Sequence, residues 1–124
     1  YTAITQALNR LAQLILSETE SRFEKIKKEI MGALGDVAQV MIDLSPDLEA
    51  VIGKQRPLEN LPPKETQNRM MIYFKRFLKV IASEDHPLVI FIDDLQWIDS
   101  GSLKLLEYIQ TDTELSHILL IGAY

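Results

Sequence analysis

A chain of 124 residues, 47% hydrophobic and 25% charged, has the size of one small domain and the make-up of an ordinary globular protein. Its formal net charge of -5 argues against a general affinity for nucleic acid or an anionic membrane surface. The lack of cysteine excludes a disulfide framework and thiolate metal sites, and no apolar run approaches the roughly 20 residues of a membrane span.

The chain starts at Tyr1 and closes on the apolar run "HILLIGAY", so both ends read as cuts in a longer polypeptide. Ile4, Ala7, Leu8, Leu11, Leu14 and Ile15 recur at spacings of three and four, which predicts a first helix with one apolar stripe. The polar break "SETES" follows, with Ser17 or Thr19 as a cap for a second helix that carries Phe23, Ile26 and Ile30 on one side. Gly32 and Gly35 are expected to punctuate its end. Val37, Val40, Met41 and Leu44 predict a short third helix, stopped at Ser45-Pro46 because a residue before proline avoids the helical region. "DLEAVIG" adds a turn or two. Residues 53–64, "GKQRPLENLPPK", hold three prolines and read as a long loop. A long helix is predicted next, with Met70, Met71, Phe74, Phe77, Leu78 and Ile81 on its core face. Lys75, Arg76 and Lys79 are expected on a solvated one.

After residue 84 the period changes. "LVIFI" (Leu88 to Ile92) is short, continuous and β-rich, the pattern of a strand buried on both faces. A helix is predicted from about Asp99 to Gln110, carrying Leu103, Leu106 and Ile109, and "ILLIGAY" reads as a second buried strand. Strand, helix, strand with apolar strands implies a parallel pair joined by a crossover. The expected fold is therefore α/β: a mainly helical segment over residues 1–84, then a parallel β-α-β unit over 85–124.

Asp93 and Asp94 stand at the carboxyl end of the first predicted strand, where parallel sheets bind ligands. An apolar strand ending in an acidic pair suits a nucleotide triphosphatase. One carboxylate holds Mg²⁺ and its waters beside the phosphates, and its neighbour polarises the attacking water. Pleat alternation sends adjacent side chains to different sides, so the roles divide, with Asp93 assigned to metal coordination through water and Asp94 to the base. The bare pair is equally compatible with a strand that ends in a solvated turn; repulsion between the two carboxylates favours a nearby cation or donor.

The stretch "PLVIFIDDLQWIDSGSLKLLEYIQ" together with "HILLIGAY" resembles the Walker B region of the signal-transduction ATPases with numerous domains, a branch related to AAA proteins. More narrowly, it is similar to the ATPase segment of large bacterial signalling proteins that carry a serine/threonine kinase-like domain in front and sensor plus histidine kinase domains behind. Asp93-Asp94, Gln96-Trp97 and Asp99 stand where that family has them. "YTAITQALNRLAQLIL", "IGKQRPLENLPP" and "ETQNR" resemble its stretch between the two nucleotide motifs, so the resemblance covers essentially the whole chain. It implies a partial P-loop NTPase (AAA-like) fold, ATP and Mg²⁺ as cofactors of the intact domain, and flanking kinase and sensor domains as partners. A cytoplasmic location goes with it, without nucleic acid or membrane contact by this segment. The chain departs from that family in lacking a glycine-rich phosphate loop: "IGKQ" has neither the glycine framework nor the Ser/Thr after its lysine. Without that backbone cradle most phosphate-binding energy is missing, so the chain alone is expected to be inactive.

Gln96, polar and beside the acidic pair, is a further candidate nucleotide contact. Trp97 is expected to pack the turn against the sheet rather than stack on a ligand, and Asp99 to cap the following helix. His86 and His117 fall beside the strand starts without metal-like partners. Missing sheet neighbours predict exposed strand edges and self-association. A non-catalytic protein-interaction scaffold is the alternative function, and a response-receiver-like domain fits poorly because the helical half does not alternate strands with helices.

Overall fold

The computed structural model describes residues 1–124. Helix α1 (Thr2–Leu16) buries Ile4, Leu8, Ala12 and Ile15. The predicted stripe thus holds at Ile4, Leu8 and Ile15, but Leu14 is exposed and Ala12 takes a place in the seam. Thr19 caps α2 (Glu20–Leu34), its Oγ1 accepting from the Arg22 amide at 3.4 Å. This helix runs through Gly32, which does not act as a terminator. Glycine inside a helix costs roughly 1 kcal/mol, less than the ~2 kcal/mol from burying Leu34 two residues further on. Gly35, with φ of 56°, ends it.

A 3₁₀ turn (Gly35–Val37) leads into α3 (Gln39–Leu44), which stops at the extended Ser45 before Pro46, as expected. A second 3₁₀ turn (Pro46–Leu48) and the single-turn α4 (Glu49–Ile52) follow. The loop after Gly53 ends slightly earlier than predicted, because α5 (Pro63–Ile81) begins on a proline. A proline lacks only an amide that the first helical turn leaves unpaired anyway. Phe74, Phe77 and Leu78 of α5 are buried, and Met70, Met71 and Ile81 pack around them, so the predicted face holds.

Lys75 departs from expectation. Its side chain is only 18% exposed, and its ammonium lies 2.7 Å from Asp112 and 2.8 Å from Glu114. Lys79 reaches the same Glu114 at 2.7 Å. α5 packs on α6 (Ser100–Thr111), which carries the following turn over this side of α5 and converts the solvated face into an ion-pair network. Arg76 lies over the Tyr73 ring, 4.7 Å from its centroid. Hydrogen bonds from Lys75 and Lys79 pull Glu114 down to about 2, and Lys75 likewise holds Asp112 below the ordinary carboxylate range. Hydrogen bonds to Asp112 and Glu114 raise Lys75 above the usual lysine range. A lowered folded-state carboxylate stabilises the fold above its unfolded value, and that contribution fades as pH falls through the folded value. The stability lost in Lys75→Gln should therefore be full at neutral pH and shrink from about pH 4.5 down to about 2, read as the difference in urea midpoint between variant and wild type. A difference that holds constant down to pH 2 would show that the network contributes nothing.

Strands β1 (Leu88–Ile92) and β2 (Ile118–Gly122) pair in parallel, Leu88 opposite Ile118 and Ile92 opposite Gly122. The ladder runs on past both strands: the Ala123 amide donates to the Ile92 carbonyl at 3.0 Å, and the Leu95 amide to the Ala123 carbonyl at 2.8 Å. Ile90 and Ile92 join the helical core, but the strands are not buried on both faces. Val89, Phe91, Leu119 and Ile121 are 42 to 59% exposed, and the register sets them side by side on the other face. A continuous apolar run reports that both faces suit burial; here only the helical side supplies a cover. In α6 the buried positions are Ser102, Leu105, Leu106 and Ile109, while the predicted core residue Leu103 is exposed. No helix is long and apolar enough to cross a membrane. Mostly helical, with one parallel pair at its carboxyl end, the chain has the expected α/β class.

Candidate functional site

Asp93 and Asp94 follow the last residue of β1 directly, at the carboxyl end of the parallel pair and exposed to solvent. Asp94 adopts the left-handed conformation, with φ of 53° and ψ of 52°. Aspartate and asparagine tolerate this region better than other non-glycine residues. The sharp reversal lets the Asp94 amide donate to Asp93 Oδ1 at 2.9 Å, supplying a donor that eases the charge of the pair. The chain then makes a 3₁₀ turn, Leu95–Trp97. The Leu95 side chain lies where a Cβ on Gly122 would stand, so glycine there allows the turn to fold down over the end of β2.

This turn and the first turns of α1 enclose an open depression of about 360 Å³. Asp93, Asp94, Trp97 and Asp99 line it, with Thr2 and Gln6 opposite. Gln96 is exposed on the 3₁₀ turn and does not line it. Trp97 does not pack against the sheet as expected: it is 81% exposed, because Leu95 occupies the place over β2 and the turn points the indole outward. His86 and His117 lie ahead of β1 and β2, at the opposite end of the strands.

Asp99 caps α6 as predicted, its Oδ2 accepting from the Ser102 amide at 2.8 Å. It does more than the sequence suggested. Its Oδ1 accepts from the Ala3 amide at 3.2 Å, and its Oδ2 lies 2.7 Å from the Tyr1 amine. Burial pushes the Asp99 carboxyl up, and the hydrogen bonds from Ser102 and Ala3 act against it. Ser102, fully buried, accepts from the Ile4 amide at 3.1 Å. Sequence reading missed Ser102 and the far side of the depression. A serine three residues after a capping aspartate reads only as a local helix start, and nothing in it signals a partner near residue 4.

The donor set suits Mg²⁺, a hard cation held by one or two carboxylates with water and substrate phosphates completing its shell. Asp93 and Asp94 offer hard oxygens with room for water around them. Neither belongs to a cluster of three or more acidic or histidine side chains, so phosphate oxygens would have to complete such a shell.

Residues 1–121 match the family described as "AAA ATPase domain". Over 107 residues, 86% of this chain, the sequence is 38% identical to hybrid signal transduction histidine kinase G of Dictyostelium discoideum. The chain spans only 3% of that protein's length. No solved structure matches the chain.

Proposed function

Since the chain belongs to the AAA ATPase domain family, we propose that it forms the Walker B half of an ATP-binding and hydrolysing regulatory module within a multidomain signal-transduction kinase. The observation that carries this reading is the exposed Asp93-Asp94 pair at the carboxyl end of a parallel strand, beside an open depression. Asp93 would hold the magnesium ion through water; Gln96, which stands outside the depression on the 3₁₀ turn, would meet nucleotide only where it extends past that turn. A bound magnesium ion would neutralise charge on the phosphates of ATP. Asp94 would accept a hydrogen bond from the attacking water and orient it. ATP binding and slow hydrolysis would switch the module between two states that the flanking kinase and sensor domains read. A cytoplasmic location accompanies ATP as the substrate. The chain contains no phosphate loop and is inactive alone in this reading. The test is ATP turnover by the polypeptide extended upstream through a phosphate loop, compared with its Asp94→Asn and Asp93→Ala variants. Hydrolysis is expected to be lost in both, and unchanged turnover in both would remove the assignment.

The bare face of the sheet supports a second element of the proposal. Contiguous exposed apolar side chains drive association, and both strands also have an unpaired edge. The 124-residue chain should therefore self-associate, its weight-average mass in sedimentation rising with concentration. The double variant Phe91→Ser/Ile121→Ser should shift that rise to higher concentration. A wild-type chain that stays monomeric across the dilution series would refute it.

A further inference from the structure

Helices α1 and α6 begin nearly a hundred residues apart in sequence, yet their first amides converge on one carboxylate and one hydroxyl. Tyr1, the residue before α1, makes no side-chain capping bond. The four leading amides of a helix need acceptors from elsewhere. For α1 two of these come from the other end of the chain, with Asp99 Oδ1 taking the Ala3 amide and Ser102 Oγ taking the Ile4 amide. Asp99 Oδ2 meanwhile takes the Ser102 amide of α6. Gly101 completes the fit, because the Tyr1 ring lies 2.9 Å from the place a Cβ on residue 101 would occupy. The tie does not depend on the terminal charge at Tyr1, since backbone amides of α1 make both of these bonds.

Asp99 is separated from Asp94 only by the 3₁₀ turn and Ile98, and it lines the same depression. Thr2 and Gln6 of α1 form the opposite wall. The bonds to Ala3 and Ile4 therefore fix the distance between the α1 wall and the acidic turn. We propose that Asp99 and Ser102 are positioning residues that dock the start of α1 against the Asp93-Asp94 turn and so hold the acidic pair in register with bound nucleotide. Its functional half rests on the ATPase reading above; its structural half does not.

Asp99→Asn separates the two duties of this side chain. Asparagine caps a helix as well as aspartate does, so α6 keeps its start. An amide group has only one oxygen, however, and its nitrogen cannot accept a hydrogen bond. With the oxygen turned to Ser102, the Ala3 amide faces a donor. In the 124-residue chain, amide exchange read by NMR should speed up about tenfold at Ala3, with the α6 amides and the far-ultraviolet circular dichroism unchanged. Ser102→Ala should speed exchange at Ile4 in the same way. Exchange at Ala3 and Ile4 unchanged in both variants would overturn the tie.

In the upstream-extended polypeptide, Asp99→Asn is expected to lower kcat about tenfold while leaving KM for ATP within about twofold, the signature of misplaced rather than missing chemistry. If Asp94→Asn abolishes turnover but Asp99→Asn leaves kcat unchanged despite the faster exchange at Ala3, the positioning role falls and the ATPase reading stands. If Asp94→Asn and Asp93→Ala leave turnover intact, the ATPase reading falls and takes the positioning role with it. The exchange measurement then reports only whether the helices are tied.

Discussion

Asp94→Asn should reduce ATP turnover of the upstream-extended polypeptide by about 10²- to 10⁴-fold, the range expected when a positioned base is removed, while nucleotide affinity is kept. The backbone makes asparagine the right substitution. Residue 94 sits at φ of 53°, and asparagine enters that region as readily as aspartate. Alanine there would add strain of roughly 1–2 kcal/mol and would confuse a lost base with a distorted turn. Asparagine keeps the shape and can still bond a water, but it cannot draw a proton from it. Removing a negative charge beside a triphosphate also does not weaken binding, so affinity should hold or rise slightly. Asp93→Ala makes the opposite case. It deletes the carboxylate proposed to hold magnesium and also the Oδ1 that receives the Asp94 amide, so affinity and turnover should fall together. Isothermal titration with a non-hydrolysable ATP analogue, alongside steady-state turnover, separates the two variants. Equal losses of affinity in both would remove the division of labour between the neighbours.

The outline of this site was legible because each feature is local. A five-residue apolar run followed by two aspartates can be read as strand and turn without knowing what surrounds it, and Asp99 before "SGS" reads as a helix start. What could not be read is what comes from afar. Asp99 serves a second helix through the amides of residues 3 and 4, and the sequence carries no mark of that pairing. Lys75 looks like any lysine on the polar side of a helix until Asp112 and Glu114 are folded against it. Trp97 departs from expectation for a related reason. A tryptophan after a buried strand is a good candidate for packing, but the smaller Leu95 fits the space above Gly122 first.

The fold shows the same division. Helix existence, the Thr19 cap and the stop at Ser45-Pro46 follow from short-range sterics and hydrogen bonding. The phase of α6 does not. Leu103 and Leu105 both suit a core, and hydrophobicity favours the stripe of Leu103, Leu106 and Ile109. The structure keeps Leu106 and Ile109 buried as expected but takes Leu105 and Ser102 in place of Leu103, a stripe that includes a serine. The bond from the Ile4 amide to Ser102 Oγ makes that serine tolerable inside and sets the rotation of the helix. A polar atom with a distant partner has overruled a local apolar pattern.

Phe77→Ala should lower the stability of the chain by about 3–5 kcal/mol, whereas Phe91→Ala should change it by less than about 1 kcal/mol. The two residues have the same side chain and stand in equally regular elements, so the comparison isolates what covers them. Phe77 is 0% exposed in the seam of α5, with Phe74 and Leu78 beside it in the core. Its removal leaves a cavity that a close-packed interior fills only in part. Phe91 is 59% exposed on the uncovered face of β1, where truncation leaves no void. A domain of this size is held by only about 5–15 kcal/mol in all, so the first change removes roughly a fifth of that or more and should lower the urea midpoint clearly, while the second should barely move it. Urea denaturation at low protein concentration, where association through the sheet is minimal, measures both. Similar losses in the two variants would mean that the uncovered face of the sheet is covered in solution, and that the bare apolar patch described for β1 and β2 does not exist as such.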